Sequence, residues 1–466
     1  MSQNDVVRTA PSHARALCLG AAIALVLPQI MPQVAAAQSP ALEAAAPSAD
    51  VRLLELADNA WAANSINATI FRADPITSDD DYQYAAFYNG DGHVVVAKRE
   101  LDSDEWETRV TDLTGNIRDA HNGVVVGVDS EGYLHLSWDH HNNPLNYVRS
   151  KEPGSLEFTE KMPMTGQNEG QLSYPQFYQL DDGTLLFMCR DGSSGNGNTV
   201  LKRYDTDTQT WTDLHDNLVS GEGQRNAYTQ ACAGDDGSLH LSWVWRETWG
   251  VETNHDMNYA VSHDGGETWQ RSDGTPYELP ITQATAEVVR EIPQRHELIN
   301  QTSMCVDGEG RPVIATYFRP EGEQVVQYFI IYHDGEGWQS TQVGERTTPF
   351  SLSGGGSKQI PISRPQVLAR TSEAGQTGVY VVFRDVDDRE GKVSLTQTDD
   401  LVAGEWTTRD LTDFPVSYWE PAYDHARWER DGVLDLYVQV AGQGDGESLQ
   451  DVDPQPAYVL EWKPAD

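Results

Sequence analysis

The 466-residue chain carries 32 Lys and Arg against 72 Asp and Glu, which gives a formal net charge of -40. This acidity excludes a nucleic-acid partner, which needs basic patches, and it repels any polyanion at long range unless local Arg and Lys dominate or the salt concentration is high. The length fits one large domain or two to three ordinary ones.

The N-terminus has the three regions of a secretory signal. Two arginines precede an apolar run at residues 16–27, and small residues follow it. The run is too short to span a bilayer, which needs about 20 apolar residues. We therefore expect a signal peptide over residues 1–37, a disordered lead-in over residues 38–50 and a secreted or periplasmic protein without a membrane segment.

From residue 51 the chain repeats one unit, an acidic turn with a glycine followed by a strongly β-forming strand. The unit occurs seven times, at Gly92, Gly132, Gly183, Gly237, Gly310, Gly378 and Gly432. Outer strands near Trp follow most units, at Trp106, Trp211, Trp269, Trp338 and Trp406. This period is typical of a β-propeller. We predict an all-β, seven-bladed β-propeller over residues 51–466, with a two-sheet sandwich as the alternative.

Three short segments carry predictions of their own. Residues 262–269 closely match the Asp-box of sialidase-type propellers, a structural turn between outer strands. Residues 285–290 are predicted to form a short helix, and residues 458–462 to close the ring against the first blade. The three cysteines that remain after the signal are widely spaced and odd in number, which argues against a disulfide framework.

Two consecutive hairpins carry the candidate catalytic residues. His121 and His141 lie about equally far from the turn of the first hairpin, and Tyr174 and Arg190 do the same in the second. If both hairpins share one orientation, all four side chains reach the same face. Two imidazoles, a phenol and a guanidinium there would form an acid–base site with an anion clamp.

The open ends of the later hairpins add polar residues to the same face. They include Arg225, Tyr228, Arg246, Asn300, Arg319, Arg364, Arg384, Tyr423, His425 and Gln439. Because Arg is planar and bidentate toward carboxylates and sulfates, we expect an anionic, hydroxyl-rich ligand such as an acidic polysaccharide. The candidate substrate-binding residues are Asn122, Asn142, Ser194, Gly195, Asn198, Arg246, Arg319 and Arg364.

Other site types have no signature here. The sequence has no Ser-His-Asp order, nucleophile elbow, CxxC or HExxH spacing, so we expect no metal and no cofactor. His135 and His240 are interpreted as ordinary strand residues, and His263 and His333 as solvated turn residues. Taken alone, either His140 or His141 also fits the role of a cap or packing residue.

Four motifs together resemble the BNR-repeat propeller lyases, most closely the seven-bladed ulvan lyases. The motifs are residues 119–122 (DAHN), 139–145 (DHHNNPL), 173–175 (SYP) and 190–198 (RDGSSGNGN). In that family a His and a Tyr act as proton acceptor and donor, a second His assists, and an Arg neutralises the uronate carboxylate. By motif these roles fall on His121, Tyr174, His141 and Arg190. Some relatives hold a structural zinc through His and Cys, but the sequence shows no matching cluster.

The resemblance implies a secreted, monomeric polysaccharide lyase that acts on a sulfated, ulvan-like polymer by β-elimination at a 4-linked uronic acid. Arg190 would stabilise the charge that develops on the carboxylate as C5 loses its proton. Tyr174 or His121 would take that proton, and the other would protonate the departing oxygen. The alternatives are a related lyase for rhamnose–glucuronate linkages, a sialidase-like hydrolase and a non-catalytic carbohydrate-binding propeller.

Overall fold

A computed structural model describes residues 50–69, 74–180, 182–300 and 303–464. These ranges contain 27 β-strands in seven sheets. The sheets are the blades of a seven-bladed β-propeller, which confirms the predicted fold class. The predicted signal peptide and nearly all of the predicted lead-in lie outside the described residues. Within the described ranges, no helix is long and apolar enough to cross a membrane.

The first three blades follow the N-terminal strand β1 (Val51–Ala60) in chain order. Blade one contains β2 (Ile76–Ser78), β3 (Tyr82–Tyr88), β4 (His93–Glu100) and β5 (Glu107–Thr114). Blade two contains β6 (Val124–Val128), β7 (Leu134–Trp138) and β9 (Tyr147–Arg149). Blade three contains β8 (His141–Asn143), β10 (Leu172–Gln179), β11 (Leu185–Ser193), β12 (Asn196–Asp205) and β13 (Thr210–Val219). The short strand β8 pairs with β10, so it joins the hairpins of blades two and three.

The next three blades are regular four-stranded sheets. Blade four contains β14 (Asn226–Ala233), β15 (Leu239–Arg246), β16 (Asn254–Ser262) and β17 (Glu287–Arg290). Blade five contains β18 (Ser303–Val306), β19 (Pro312–Phe318), β20 (Gln327–His333) and β21 (Trp338–Gln342). Blade six contains β22 (Gln366–Thr371), β23 (Thr377–Arg384), β24 (Lys392–Thr398) and β25 (Thr407–Pro415). The two short α-helices of the described residues are α1 (Val386–Arg389), between β23 and β24, and α2 (His425–Asp431), between blade six and blade seven.

Blade seven closes the ring with both ends of the chain. Strand β27 (Gln455–Trp462) pairs on one side with β26 (Leu434–Gln439) and on the other with β1, from Val51 opposite Trp462 to Ala60 opposite Gln455. The predicted C-terminal strand therefore does close the ring. Its partner is the N-terminal strand within the last blade, however, because β1 does not belong to the first blade.

The apolar core lies between neighbouring blades. Strands β7 and β15 are buried along their whole length, because each blade packs against a neighbour on both faces. One such cluster joins Tyr84 and Val96 of blade one to Val126 and Leu136 of blade two. This packing explains why the inner strands are continuous apolar runs in the sequence.

Two of the local predictions are corrected by the structure. Residues 287–290 form β17, which pairs with β16 and alternates between half-buried and exposed residues, instead of a helix. The adjacent β-branched Val288 and Val289 suit an outer strand. In the last two repeats Gly378 lies inside β23 and Gly432 ends α2, so neither is a hairpin turn.

The Asp-box is a structural turn, as predicted. Asp264 accepts hydrogen bonds from the Ser262 hydroxyl at 2.8 Å and from the Thr268 backbone N–H at 2.8 Å. The indole N–H of the buried Trp269 donates to the Gly266 carbonyl at 3.0 Å. These bonds within the turn, together with contacts from Arg203 and His215 of blade three, give the Asp-box a structural role.

Ring closure through β1 predicts a large loss of stability when its buried face is cut back. Leu54 lies opposite Val459 and is 5% exposed. Leu54→Ala is expected to lower the free energy of unfolding by about 2–5 kcal/mol, measured by urea denaturation. The exposed neighbour Glu55 is the matched control, and Glu55→Ala should change stability by less than about 0.5 kcal/mol. Equal effects of the two substitutions would contradict the closure.

Candidate functional site

A cavity of about 320 Å³ opens at the ends of the inner hairpins. Its wall includes His121, His141, Tyr174 and Tyr228. The wall also contains four Arg and Lys residues, Arg246, Lys358, Arg364 and Arg384. Among the described residues that line it, the one carboxylate is that of Glu420. On a chain with a net charge of -40, this local excess of cations favours an anionic ligand.

A larger cavity, of about 790 Å³, lies where the hairpin turns are, on the opposite face. Its wall includes the turn residues Gly132 and Gly183 and the carboxylates of Asp79, Asp81 and Glu429. Those carboxylates repel a polyanion at short range. The smaller, cationic cavity is therefore the candidate active site.

A single carboxylate orients both imidazoles of the site. The two Asp119 oxygens each lie 2.7 Å from one Nδ1, that of His121 and that of His141. Because a carboxylate only accepts, each Nδ1 carries the proton and donates it. The rings stack with centroids 4.0 Å apart. One possible ligand atom from each of Asp119, His121 and His141 lies within 4.8 Å of the others, a spacing that could also hold a metal ion. The hydrogen bonds of both Nδ1 atoms to Asp119 define the three residues as a hydrogen-bonded triad.

A second carboxylate makes the two imidazoles unequal. Glu447 ends a short 3-10 turn (Asp445–Glu447) between β26 and β27 of blade seven, and its carboxylate lies 3.3 Å from His121 Nδ1. Burial alone would lower the pKa of His121, but hydrogen bonds to Asp119 and Glu447 raise it to about 9. Burial and the neighbouring His121 charge lower the pKa of His141. At neutral pH the site thus holds one imidazolium and one neutral imidazole.

Backbone strain directs Tyr174 into the cavity. Tyr174 has φ of 56°, a left-handed conformation that bulky residues rarely adopt and that costs about 1–3 kcal/mol. The register of β10 against β11 shifts between Ser173 and Gln176, which marks a bulge at Tyr174 and Pro175. The bulge turns the phenol toward His121, with ring centroids 6.1 Å apart.

The two phenols of the site have opposite acidities. Burial and the neighbouring Tyr228 raise the pKa of Tyr174 well above its usual range. Burial would also raise the pKa of Tyr228, but the guanidinium groups of Arg246 and Arg190 lower it to about 7. The Tyr228 hydroxyl lies 3.0 Å from Arg246 Nη1. Groups whose environments separate their pKa values in this way suit an acid and a base.

Arg190 lies behind the phenols and outside the cavity wall. Its side chain donates to the Gly192 carbonyl at 3.1 Å and to the Ser173 hydroxyl at 3.0 Å. The guanidinium lies 4.8 Å from the Tyr174 ring centroid and 5.8 Å from that of Tyr228. Of the four predicted catalytic residues, His121, His141 and Tyr174 line the cavity, and Arg190 supports it.

The predicted substrate-binding residues divide into two groups. Ser194, Arg246 and Arg364 line the cavity. The Ser194 hydroxyl lies 3.1 Å from that of Tyr228, and Arg364 pairs with Glu420. The other five residues do not form the wall. Asn122 is buried and its side-chain amide donates to the Asn116 carbonyl, whereas Asn142 is exposed. The Gly195 N–H donates to the Asn226 side chain, the Asn198 side chain accepts from the Gly221 N–H, and Arg319 pairs with Glu297.

Four site residues had no assigned role in the sequence-based prediction. Tyr228, Arg190 and Arg246 were all placed on this face, but the sequence did not indicate that the two guanidinium groups would lower the pKa of this phenol. Asp119 belongs to the first motif, whose spacing indicated only the histidines. Glu447 ends a short 3-10 turn, and Trp249, which also lines the cavity, stands in a loop. Neither segment belongs to the repeat pattern, so no local signal marked them.

Known proteins match this chain over part of its sequence. A family model described as "BNR repeat-containing family member" matches residues 82–346. A long-isoform ulvan lyase from Pseudoalteromonas sp. (strain PLSV) is 31% identical over 137 residues, which cover 26% of this chain and 14% of that protein. A short-isoform ulvan lyase from Alteromonas sp. (strain LOR) is 30% identical over 135 residues, 26% of each chain.

Solved structures share the architecture over nearly the whole propeller. The polysaccharide lyase Uly1 has a TM-score of 0.66 at 16% identity and covers 88% of this chain and 99% of its own. A PL25 ulvan lyase bound to -[GlcA(1-4)Rha3S]- has a TM-score of 0.64 at 13% identity, with coverage of 88% and 96%. At these low sequence identities, the structural matches establish the fold alone. Because the family model matches more than half of the residues, the chain belongs to the BNR repeat-containing family.

The position of Glu447 predicts that it controls the charge of His121. Glu447→Gln is expected to lower the pKa of His121 from about 9 toward the ordinary value near 6.5, as followed by an NMR titration of the imidazole protons. The exposed Glu336 provides the control Glu336→Gln.

The raised pKa of His121 also determines how the stability of the fold depends on pH. Protonation of His121 stabilises the fold fully below about pH 6.5 and loses its effect as the pH rises through about 9. Glu447→Gln should therefore reduce stability at pH 6 more than at pH 10. An unchanged His121 titration would contradict the assignment.

Proposed function

We propose that the protein is a secreted polysaccharide lyase that cleaves a sulfated, ulvan-like polysaccharide by β-elimination at a 4-linked uronic acid. The observation that carries the proposal is the cationic cavity in which an imidazolium and two phenols of opposite acidity converge. The ulvan lyase relatives and the PL25 lyase bound to a glucuronate–rhamnose sulfate support the substrate class.

The charge states suggest a division of roles. The His121 imidazolium binds the uronate carboxylate and stabilises the charge that it gains as C5 loses its proton. The Tyr228 phenolate, available near neutral pH because its pKa is about 7, takes that proton. The electron pair forms the C4–C5 double bond, the C4–O bond breaks, and the departing oxygen takes a proton from Tyr174.

The supporting residues keep these states in place. Arg190 and Arg246 stabilise the Tyr228 phenolate. Because Arg190 is only 5% exposed and lies behind Tyr174, its charge affects the two phenols and does not contact the substrate. The neutral His141 donates a hydrogen bond from Nδ1 to the second oxygen of Asp119 and so fixes the orientation of that carboxylate. We further propose that residues 51–466 form the whole catalytic unit, that it works as a monomer and that the N-terminal segment directs its export.

The proposal is tested by incubating the protein with a panel of uronate polymers, including ulvan, and following the ultraviolet absorbance of a 4,5-unsaturated uronate. Absorbance should rise with ulvan. New reducing ends without that absorbance would indicate a hydrolase, and no cleavage of any polymer would indicate a binding protein.

Loss of the Tyr174 hydroxyl is expected to remove most of the turnover. A phenyl ring cannot donate a proton, and general acid–base groups typically contribute about 10²–10⁴-fold. Tyr174→Phe should lower kcat within this range while the melting temperature stays close to that of the parent. Tyr458, on β27 and outside the cavity wall, provides the control Tyr458→Phe. A loss below about 10-fold in Tyr174→Phe would remove the phenol from the mechanism.

A further inference from the structure

The rim of the catalytic cavity carries an exposed indole. Trp249 lines the cavity and is 68% exposed, and in the described part of the chain it is the one aromatic among the exposed large apolar residues. Soluble proteins normally cover an indole. An exposed aromatic beside a ligand cavity indicates a binding surface.

Two glycine turns hold this indole in a fixed position. A Cβ placed on Gly355 would lie 2.6 Å from Trp249 Cε3, so the 354–356 loop passes directly against the ring. A Cβ on Gly195 would lie 3.1 Å from the Thr248 carbonyl carbon and 3.4 Å from the Trp249 backbone nitrogen, so this turn packs against the backbone that carries the indole. The Val251 N–H donates to the Gly354 carbonyl at 2.9 Å. The indole is therefore packed against the 354–356 loop, while 68% of the residue stays exposed.

A lysine adds a positive charge at the edge of the indole. A Cβ placed on Gly354 would lie 3.3 Å from Lys358 Nζ and 3.9 Å from Trp249 Cζ3, so the two groups flank one point. Lys358 also lines the cavity. Among the described residues, no carboxylate oxygen lies within 4.0 Å of its ammonium group. The charge therefore remains available to an anionic ligand.

We propose that Trp249 and Lys358 form a second sugar subsite that binds the sulfated sugar next to the uronate, an inference that rests on the proposed lyase function. The cavity, at about 320 Å³, is at the small end of ligand sites, so a polymer must continue over its rim. There the apolar face of a sugar ring stacks on the indole, and the sulfate pairs with the ammonium group.

The subsite is tested by calorimetric binding in a Tyr174→Phe background, which prevents turnover. The probes are a tetrasaccharide of -[GlcA(1-4)Rha3S]- repeats and its chemically desulfated counterpart. Trp249→Ala is expected to weaken binding of both probes about tenfold or more. Lys358→Gln is expected to weaken the sulfated probe selectively and bring the two affinities together. Val402, 82% exposed and outside the cavity wall, provides the control Val402→Ala.

The outcomes separate this subsite from the lyase reaction. Unchanged binding of both probes by Trp249→Ala and Lys358→Gln, or no binding of either probe by the parent, overturns the subsite even if ulvan is cleaved. The expected losses without any unsaturated product would support the subsite and overturn the lyase function. In the active protein, Trp249→Ala should raise KM far more than it lowers kcat, because the indole contacts no reacting atom.

Discussion

The Asp119 carboxylate is the contact on which the candidate active site depends. It engages Nδ1 of His121 and of His141 at 2.7 Å each, so it fixes the tautomer and the orientation of both rings at once. The additional contact of His121 with Glu447 then makes one ring an imidazolium while the other stays neutral. A cation thereby faces the cavity without the mobility of a long side chain.

The propeller supplies the rigidity that this arrangement requires. Inner hairpins of successive blades open toward one face, and β8 ties the hairpin of the histidines to the strand that carries Tyr174. Tyr174, Asn142 and Glu447 all have positive φ, which costs about 1–3 kcal/mol each. The surrounding sheets, closed into a ring by β1 and β27, hold these conformations. Part of the backbone strain of the chain is thus found at the segments that bring these side chains together.

The sequence predicts the features that repeat or that lie symmetrically about a turn. Seven turn-and-strand units indicated seven blades, and hairpin symmetry brought His121 near His141 and Tyr174 near Arg190. It does not predict contacts between distant loops: Glu447 reaches His121 from more than 300 residues away. It also does not show that Arg190 stands behind Tyr174, because the bulge at Pro175 decides which side chain faces the cavity. The short β17 was mistaken for a helix because its pairing with β16 is non-local.

The mass of the new non-reducing end tests the central claim most directly. Elimination adds no water to the C4–C5 unit, so mass spectrometry of fragments from a sulfated glucuronate–rhamnose polymer should show a terminal uronate lighter than a hydrolysed one by one water molecule. A vinylic C4 proton in the NMR spectrum of the same fragment should accompany it. A terminal uronate of full mass, with its C4 hydroxyl retained, would contradict β-elimination and with it the roles proposed for Tyr174 and Tyr228.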